Sequence, residues 1–269
     1  MIGLKKCTLF ILVCLSVTHV LAQVDQIKSS SSSNSKSTNS QSNQRGEGSG
    51  SSSSSSGFFV YLFVELIGNG VGALQRDKLS KKEMNPRIVS LELPLQAAAQ
   101  PSNYYLFNPR IRGNWGLFST DFRVNHLVEQ DIDGTKDLTT FDWQVIQLNL
   151  VTAKNVIGRV GFGFMNENFG SKQSFFESTF GLSLLSNDHK LGGSLEYRVA
   201  KDYETDATPR REISASFERQ IFSTGAFHGF ATLGGVYQRY YSDVDVWGIQ
   251  GGIIFRLHRS VLLRQEENN

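Results

Sequence analysis

From Ile88 onward the chain alternates apolar and polar side chains in segments of about ten residues separated by turn residues. A period of two is what an extended strand with a different environment on each face requires. In the first segment Val89, Leu91, Leu93 and Leu95 share one face, and Ser90, Glu92 and Gln96 share the other. Pro94 interrupts this ladder and marks a bulge. In Tyr105–Asn114 and the residue after it, Tyr105, Phe107, Ile111 and Trp115 fall on one side, with Asn108, Arg110, Arg112 and Asn114 opposite. The alternation changes phase at Gly113-Asn114-Trp115-Gly116, which predicts a tight turn. It resumes with Phe118, Phe122, Val124 and Val128 outward and Asp121, Arg123 and Asn125 inward. Further strands are predicted over Thr139–Val151, Val156–Asn166, Gln173–Leu185, Lys190–Lys201, Arg211–Ile221, Ala226–Tyr240 and Val244–Leu257. In the first of these Trp143 and Val145 set one phase and Ile146, Leu148 and Leu150 the other, so a bulge is required. Ten strands result, with eight as the alternative count.

This pattern is the signature of an all-β, antiparallel transmembrane β-barrel, expected over residues 85–258 and followed by a polar tail, 259–269. Short connections lie near Asn114, at Thr152–Asn155, Ser186–His189 and Phe222–Gly225, and longer ones at Glu129–Leu138, Asn166–Lys172 and Lys201–Arg210. Bacterial barrels begin and end in the periplasm, with short turns there and longer loops outside, and the alternation of lengths follows that rule.

The N-terminus reads as an export signal over residues 1–22. Lys5 and Lys6 form a basic region, Cys7–Val17 an apolar one, and Val20-Leu21-Ala22 a small-residue cleavage site that would leave Gln23 first. Val13 before Cys14 is too large for a lipidation motif. Both cysteines fall in the segment to be removed, so the mature chain has no thiol for a disulfide or a metal. Residues 23–57 are dominated by Ser, Asn, Gln and Gly and are expected to be a disordered tether, periplasmic in location. Residues 58–84 form a short apolar to amphipathic segment, with a helix expected over Phe58–Leu74; Glu65, Asn69 and three glycines break it as a membrane helix.

The two faces differ in chemistry. Outward positions are Phe, Leu, Val and Ile, with Tyr105, Trp115, Trp143, Tyr197, Tyr237 and Trp247 suited to interfacial girdles. Inward positions carry Glu92, Asp121, Glu177, Glu196, Glu212 and Glu218 against Arg110, Arg112, Arg123, Arg159, Arg198 and Arg256. Eight to ten strands enclose a lumen that side chains fill, so these charges are expected to pair into a plug rather than line a wide channel. A soluble barrel of the lipocalin kind would need the reverse polarity.

No catalytic, cofactor or metal site is predicted. His19 leaves with the signal, His126 lies in the lipid-side phase, His189 sits in a turn and His258 follows the last strand; His228 alone is placed to face the lumen. Asp131–Asp137 and the acidic stretch from Asp202 to Asp206 are too short for a calcium loop. The glycines at 158, 161 and 163, and at 248, 251 and 252, alternate within strands and precede no helix, which argues against phosphate loops. With 269 residues and a formal charge of +2, the chain lacks the basicity of a nucleic-acid binder.

The last strand contains Gln250, Gly252, Phe255 and Leu257 in an order that resembles the β-signal read by barrel-assembly machinery, although residues 258–269 follow it. The stretch Asn108-Pro109-Arg110-Ile111-Arg112-Gly113-Asn114-Trp115-Gly116-Leu117-Phe118-Ser119-Thr120-Asp121-Phe122-Arg123 resembles uncharacterised outer-membrane barrels of Bacteroidetes-type bacteria. That resemblance implies architecture and location over about Phe58–Leu257 and brings no activity with it. The expected role is a non-enzymatic envelope barrel, in contact with outer-membrane lipid, with the assembly machinery during biogenesis and with an envelope protein partner. The alternatives are a small-solute or ion pore and a lipid-modifying barrel enzyme.

Overall fold

The computed structural model describes residues 23–42, 71–81, 85–100, 104–131, 134–170 and 172–258. The export signal, most of the predicted helix at Phe58–Leu74 and the tail 259–269 lie outside them. Ten antiparallel strands, each bonded to its sequence neighbour, form a barrel that closes where the first meets the last. They are β1 (Val89–Gln100), β2 (Tyr104–Trp115), β3 (Phe118–Asp131), β4 (Gly134–Thr152), β5 (Val156–Glu167), β6 (Ser174–Leu185), β7 (Leu191–Lys201), β8 (Arg210–Thr224), β9 (Phe227–Tyr240) and β10 (Val244–Leu257). Among the described residues two α-helices accompany them, α1 (Gln23–Ser42) and α2 (Val71–Ser80).

The strand count is therefore ten, and the break in the β4 alternation coincides with a bulge. β4 slips register against β5 between Trp143 and Ile146, which turns the Ile146 phase back toward the wall. The bulge expected at Pro94 does not form: the β1–β2 ladder omits Leu93 and Pro94 opposite Arg110 and Ile111, as a residue without an N–H dictates, but the register is the same on both sides of the gap. At the closing seam a Cβ on Gly252 would run into the Leu95 carbonyl, so only glycine lets β10 lie this close to β1.

Two expectations change. Glu129–Leu138, read as a long loop, is mostly strand: β3 runs to Asp131 and β4 starts at Gly134. Polar residues can continue a hairpin wherever its cross-strand bonds are made, and Glu129 pairs with Lys136 there. Gln23–Ser42, read as a disordered tether, is helical. Its mean composition hides Val24, Ile27 and Ser31, spaced on one side of a helix and all fully buried.

The helices occupy opposite mouths. α2 sits where the short turns lie, at the end where the chain enters β1: Gln75 Nε2 donates to the Trp115 carbonyl at 2.9 Å, and Lys78 Nζ to the Leu150 carbonyl at 3.1 Å. α1 sits at the other mouth, against β2, β3, β5 and the turn after β9.

Candidate functional site

The site begins with the strand period. Because every second side chain points inward, charges at i and i+2 on one strand stack along the axis, and neighbouring strands add more at the same level. All twelve charged residues predicted to face the lumen do so, and all but Arg110 are buried.

Eleven of them join into two ion-pair clusters, a larger one around Asp121, Glu196 and Glu177 and a smaller one around Arg256. Asp121, on β3, accepts from Arg110 Nε at 2.6 Å, Arg112 Nη2 at 3.0 Å and Arg198 Nη2 at 2.8 Å. Glu196 shares the same three arginines, at 2.9, 3.0 and 2.6 Å. One level toward the α1 mouth, Arg123 bridges Asp142 at 2.6 Å and Glu212 at 2.5 Å, and Arg210 bridges Asp142 at 2.5 Å and Glu177 at 3.0 Å. Toward the short-turn mouth, Arg256 donates to Glu92 at 3.0 Å and Glu218 at 3.2 Å, with its guanidinium 4.3 Å from the Phe230 ring centre. Two-point contacts of this kind fix planar groups in register and supply the partners that buried charges need.

Arg87, Asp142 and Arg210 belong to these clusters and escaped the sequence reading. Arg87 precedes the first strand, on a 3-10 turn at Pro86–Ile88, and contacts Glu218. Asp142 lies in the strand with two competing phases. Arg210 begins β8 one residue before the predicted start, yet it is in phase with Glu212, and that spacing was the available signal.

Above the charges the lumen turns apolar. Tyr104, Leu106, Leu127, Leu138, Val236, Tyr240, Val244 and Val246 form a buried cluster, and Val24 and Ile27 of α1 complete it. Each buried aliphatic side chain contributes about 1.5–3 kcal/mol to the docking of the helix. The polar contacts around it are specific. Glu129 accepts from the main-chain nitrogens of Gln23 at 3.0 Å and Val24 at 2.8 Å and from the Tyr104 hydroxyl. Glu167 accepts from Ser31 Oγ at 2.8 Å and from the Tyr241 hydroxyl at 2.8 Å. Burial and the Glu167 carboxylate hold the Tyr241 phenol well above its ordinary range, so it stays a proton donor. Lys136 reaches Asp25 at 2.7 Å.

His228 lies inside the barrel, near the short-turn mouth. Its Nδ1 is 2.9 Å from Ser223 Oγ, and its ring stacks on His258 with centroids 4.0 Å apart. Among the described residues no group of three His, Cys, Asp or Glu side chains could hold a metal. In β10, Gln250 points inward and Leu257 outward, while Phe255 stacks on Phe227 at 5.7 Å.

The architecture defines a class: a closed ten-stranded barrel filled by an ion-pair network and capped by its own N-terminal helix. No family model matches the sequence, and no curated protein is significantly similar to it.

Proposed function

We propose that this protein is an outer-membrane β-barrel of a Gram-negative-type envelope, non-enzymatic and closed to bulk flow, with a structural or partner-binding role. The observation that carries this reading is the inverted polarity of the barrel. Leu93, Phe122, Phe164, Phe180, Leu195, Ile213, Leu233 and Ile249, on eight different strands, project apolar side chains outward and exposed, while the charges are inside. Water-facing proteins rarely expose contiguous apolar patches beyond a few hundred Å², and a belt running around a barrel suits lipid. Tyr105, Trp115, Trp143, Tyr197, Tyr237 and Trp247 are all outward and exposed, as interfacial girdles need.

In this reading the short turns and α2 face the periplasm, α1 caps the outer mouth, against the expectation of a wholly periplasmic tether over residues 23–57, and β10 presents its Gln250–Leu257 stretch to the assembly machinery. The lumen is no transport path in this reading, because crossed arginine–carboxylate rows block it at two levels. Among the described residues two His–hydroxyl contacts bear on an enzyme reading: His126–Thr139 at 2.8 Å, which lies on the outward face, and Ser223–His228 inside the barrel. The His228 ring's neighbours are the cationic Arg256 and a second imidazole rather than a carboxylate that would orient it.

The test is membrane fractionation followed by gel mobility with and without boiling. A heat-modifiable band in the outer-membrane fraction is expected. A soluble, unshifted protein would overturn the membrane reading, and steady single-channel current in planar bilayers would replace the closed barrel with a pore.

A further inference from the structure

The lumen charges are unevenly distributed along the axis. Toward the short-turn mouth a cavity of about 60 Å³ opens between the wall and the network. Arg87, Arg110, Arg112, Arg159 and Arg256 line it, and only Glu92, Glu196 and Glu218 oppose them, which leaves an excess of two positive charges. The three carboxylates are already engaged. Glu92 and Glu218 accept from Arg256, and Glu196 accepts from Arg110 and Arg112.

Arg159 has no such partner. It is only 6 % exposed, and among the described residues no hydrogen bond or ion pair reaches it; its Nε and the Nε of Arg112 are buried without an acceptor. Glu92, Glu196 and Asp121 act on Arg159 from beyond ion-pair distance and are bonded to other arginines, and a buried cation whose hydrogen bonds are unmade costs several kcal/mol, so a guanidinium facing a polar cavity calls for an anion. Strands β6, β7 and β8, across the lumen from Arg112 and Arg256 and next to the strand that carries Arg159, make the room. Ser183, Ser194, Ser214 and Ser216 stand where bulkier side chains fill the lumen elsewhere, and Ser194 is exposed although its phase points it inward. The space accommodates roughly four water-sized groups, which matches a tetrahedral oxyanion. Guanidinium forks on one side and hydroxyl donors on the other suit its geometry.

We propose that this cavity binds a small doubly charged oxyanion of the inorganic phosphate class, with Arg159 as its principal ligand and Arg112 beside it. The bound anion neutralises the local excess and completes the ion-pair network at the inner end of the barrel. The site stands apart from the apolar α1 mouth and needs no conduction.

The experiment is calorimetric titration of inorganic phosphate, and separately of sulfate, into the purified full mature chain folded in detergent and freed of multivalent anions. One saturable site per barrel is expected. Arg159→Met removes the ligand without breaking any ion pair and should weaken binding by at least about tenfold. Ser194→Leu fills the cavity from β7 without changing charge and should have the same effect, while Arg211→Met on the outer face should have none. Binding of sulfate but not phosphate would reassign the anion within the same chemistry and overturn the phosphate assignment. No saturable binding, or Arg159→Met and Ser194→Leu barrels that shift on boiling yet bind like the wild type, would overturn the site. Those outcomes leave the membrane reading untouched, since fractionation and heat modifiability measure that separately.

Discussion

Replacing Asp121 by Asn tests whether the lumen is a bonded plug or a solvated channel. Asp121 is fully buried and its carboxylate takes hydrogen bonds from Arg110, Arg112 and Arg198. The amide keeps the shape and one acceptor but removes the charge, so Arg110 and Arg112 are left with Glu196 and Arg198 with Glu196 and Glu177. Removing one partner from a buried ionic cluster costs about 3–5 kcal/mol, because the remaining charges stay desolvated. The assay is denaturant unfolding of the barrel refolded into lipid vesicles, followed by tryptophan fluorescence. A second substitution, Arg112→Gln, removes one of the stranded cations and should recover part of the loss, giving a coupling of about 0.5–3 kcal/mol in a double-mutant cycle. If Asp121→Asn unfolds within about 0.5 kcal/mol of the parent, water already solvates these charges and the plug reading is refuted.

Four further substitutions separate the wall, the seam and the cap. Leu195→Arg, on the outward face, should destabilise the barrel by about 2–4 kcal/mol in lipid vesicles if that position lies near the midplane; a neutral result in the same unfolding assay would argue against a lipid-facing wall. Gly252→Leu places a side chain against the Leu95 carbonyl at the β1–β10 seam, and loss of the heat-shifted band is expected, whereas a normal band would show that the seam tolerates a Cβ. Ile27→Asp puts a charge into the apolar cap, and Glu129→Gln weakens the hold on the start of α1; both should raise amide hydrogen exchange over residues 23–34, and unchanged exchange in both would mean the helix is held by something else. In a chain processed after Ala22, the α-ammonium of Gln23 would lie at the Glu129 carboxylate, so Glu129→Gln should matter more for the processed chain than for one that keeps the preceding residues.

The barrel was legible because strand period and turn chemistry are local. Phe118, Phe122 and Val124 against Asp121, Arg123 and Asn125 already state which face is which, and the lumen charges followed from that parity. What escaped was whatever depended on distant chain segments. Val24 and Ile27 look isolated in a serine-rich stretch, and their burial is decided by Leu106, Leu127 and Val246, far away along the chain. Arg159 looked like one charge in a balanced set. Its lack of a partner emerges only once Glu92, Glu196 and Glu218 are seen to be taken by others.

The location of α1 constrains the order in which the molecule is built. Its receptor combines Tyr104 and Leu106 of β2, Leu127 and Glu129 of β3, Glu167 of β5 and Val246 of β10. The β2 and β10 side chains meet only because β1 joins both across the closing seam. Before closure that surface does not exist, so α1 can dock only after the barrel has formed, although it precedes every strand in the chain. Deleting residues 23–34 should therefore leave heat modifiability intact while opening the apolar mouth to water. A truncated barrel that no longer folds would instead make α1 part of the assembly nucleus and reverse this order.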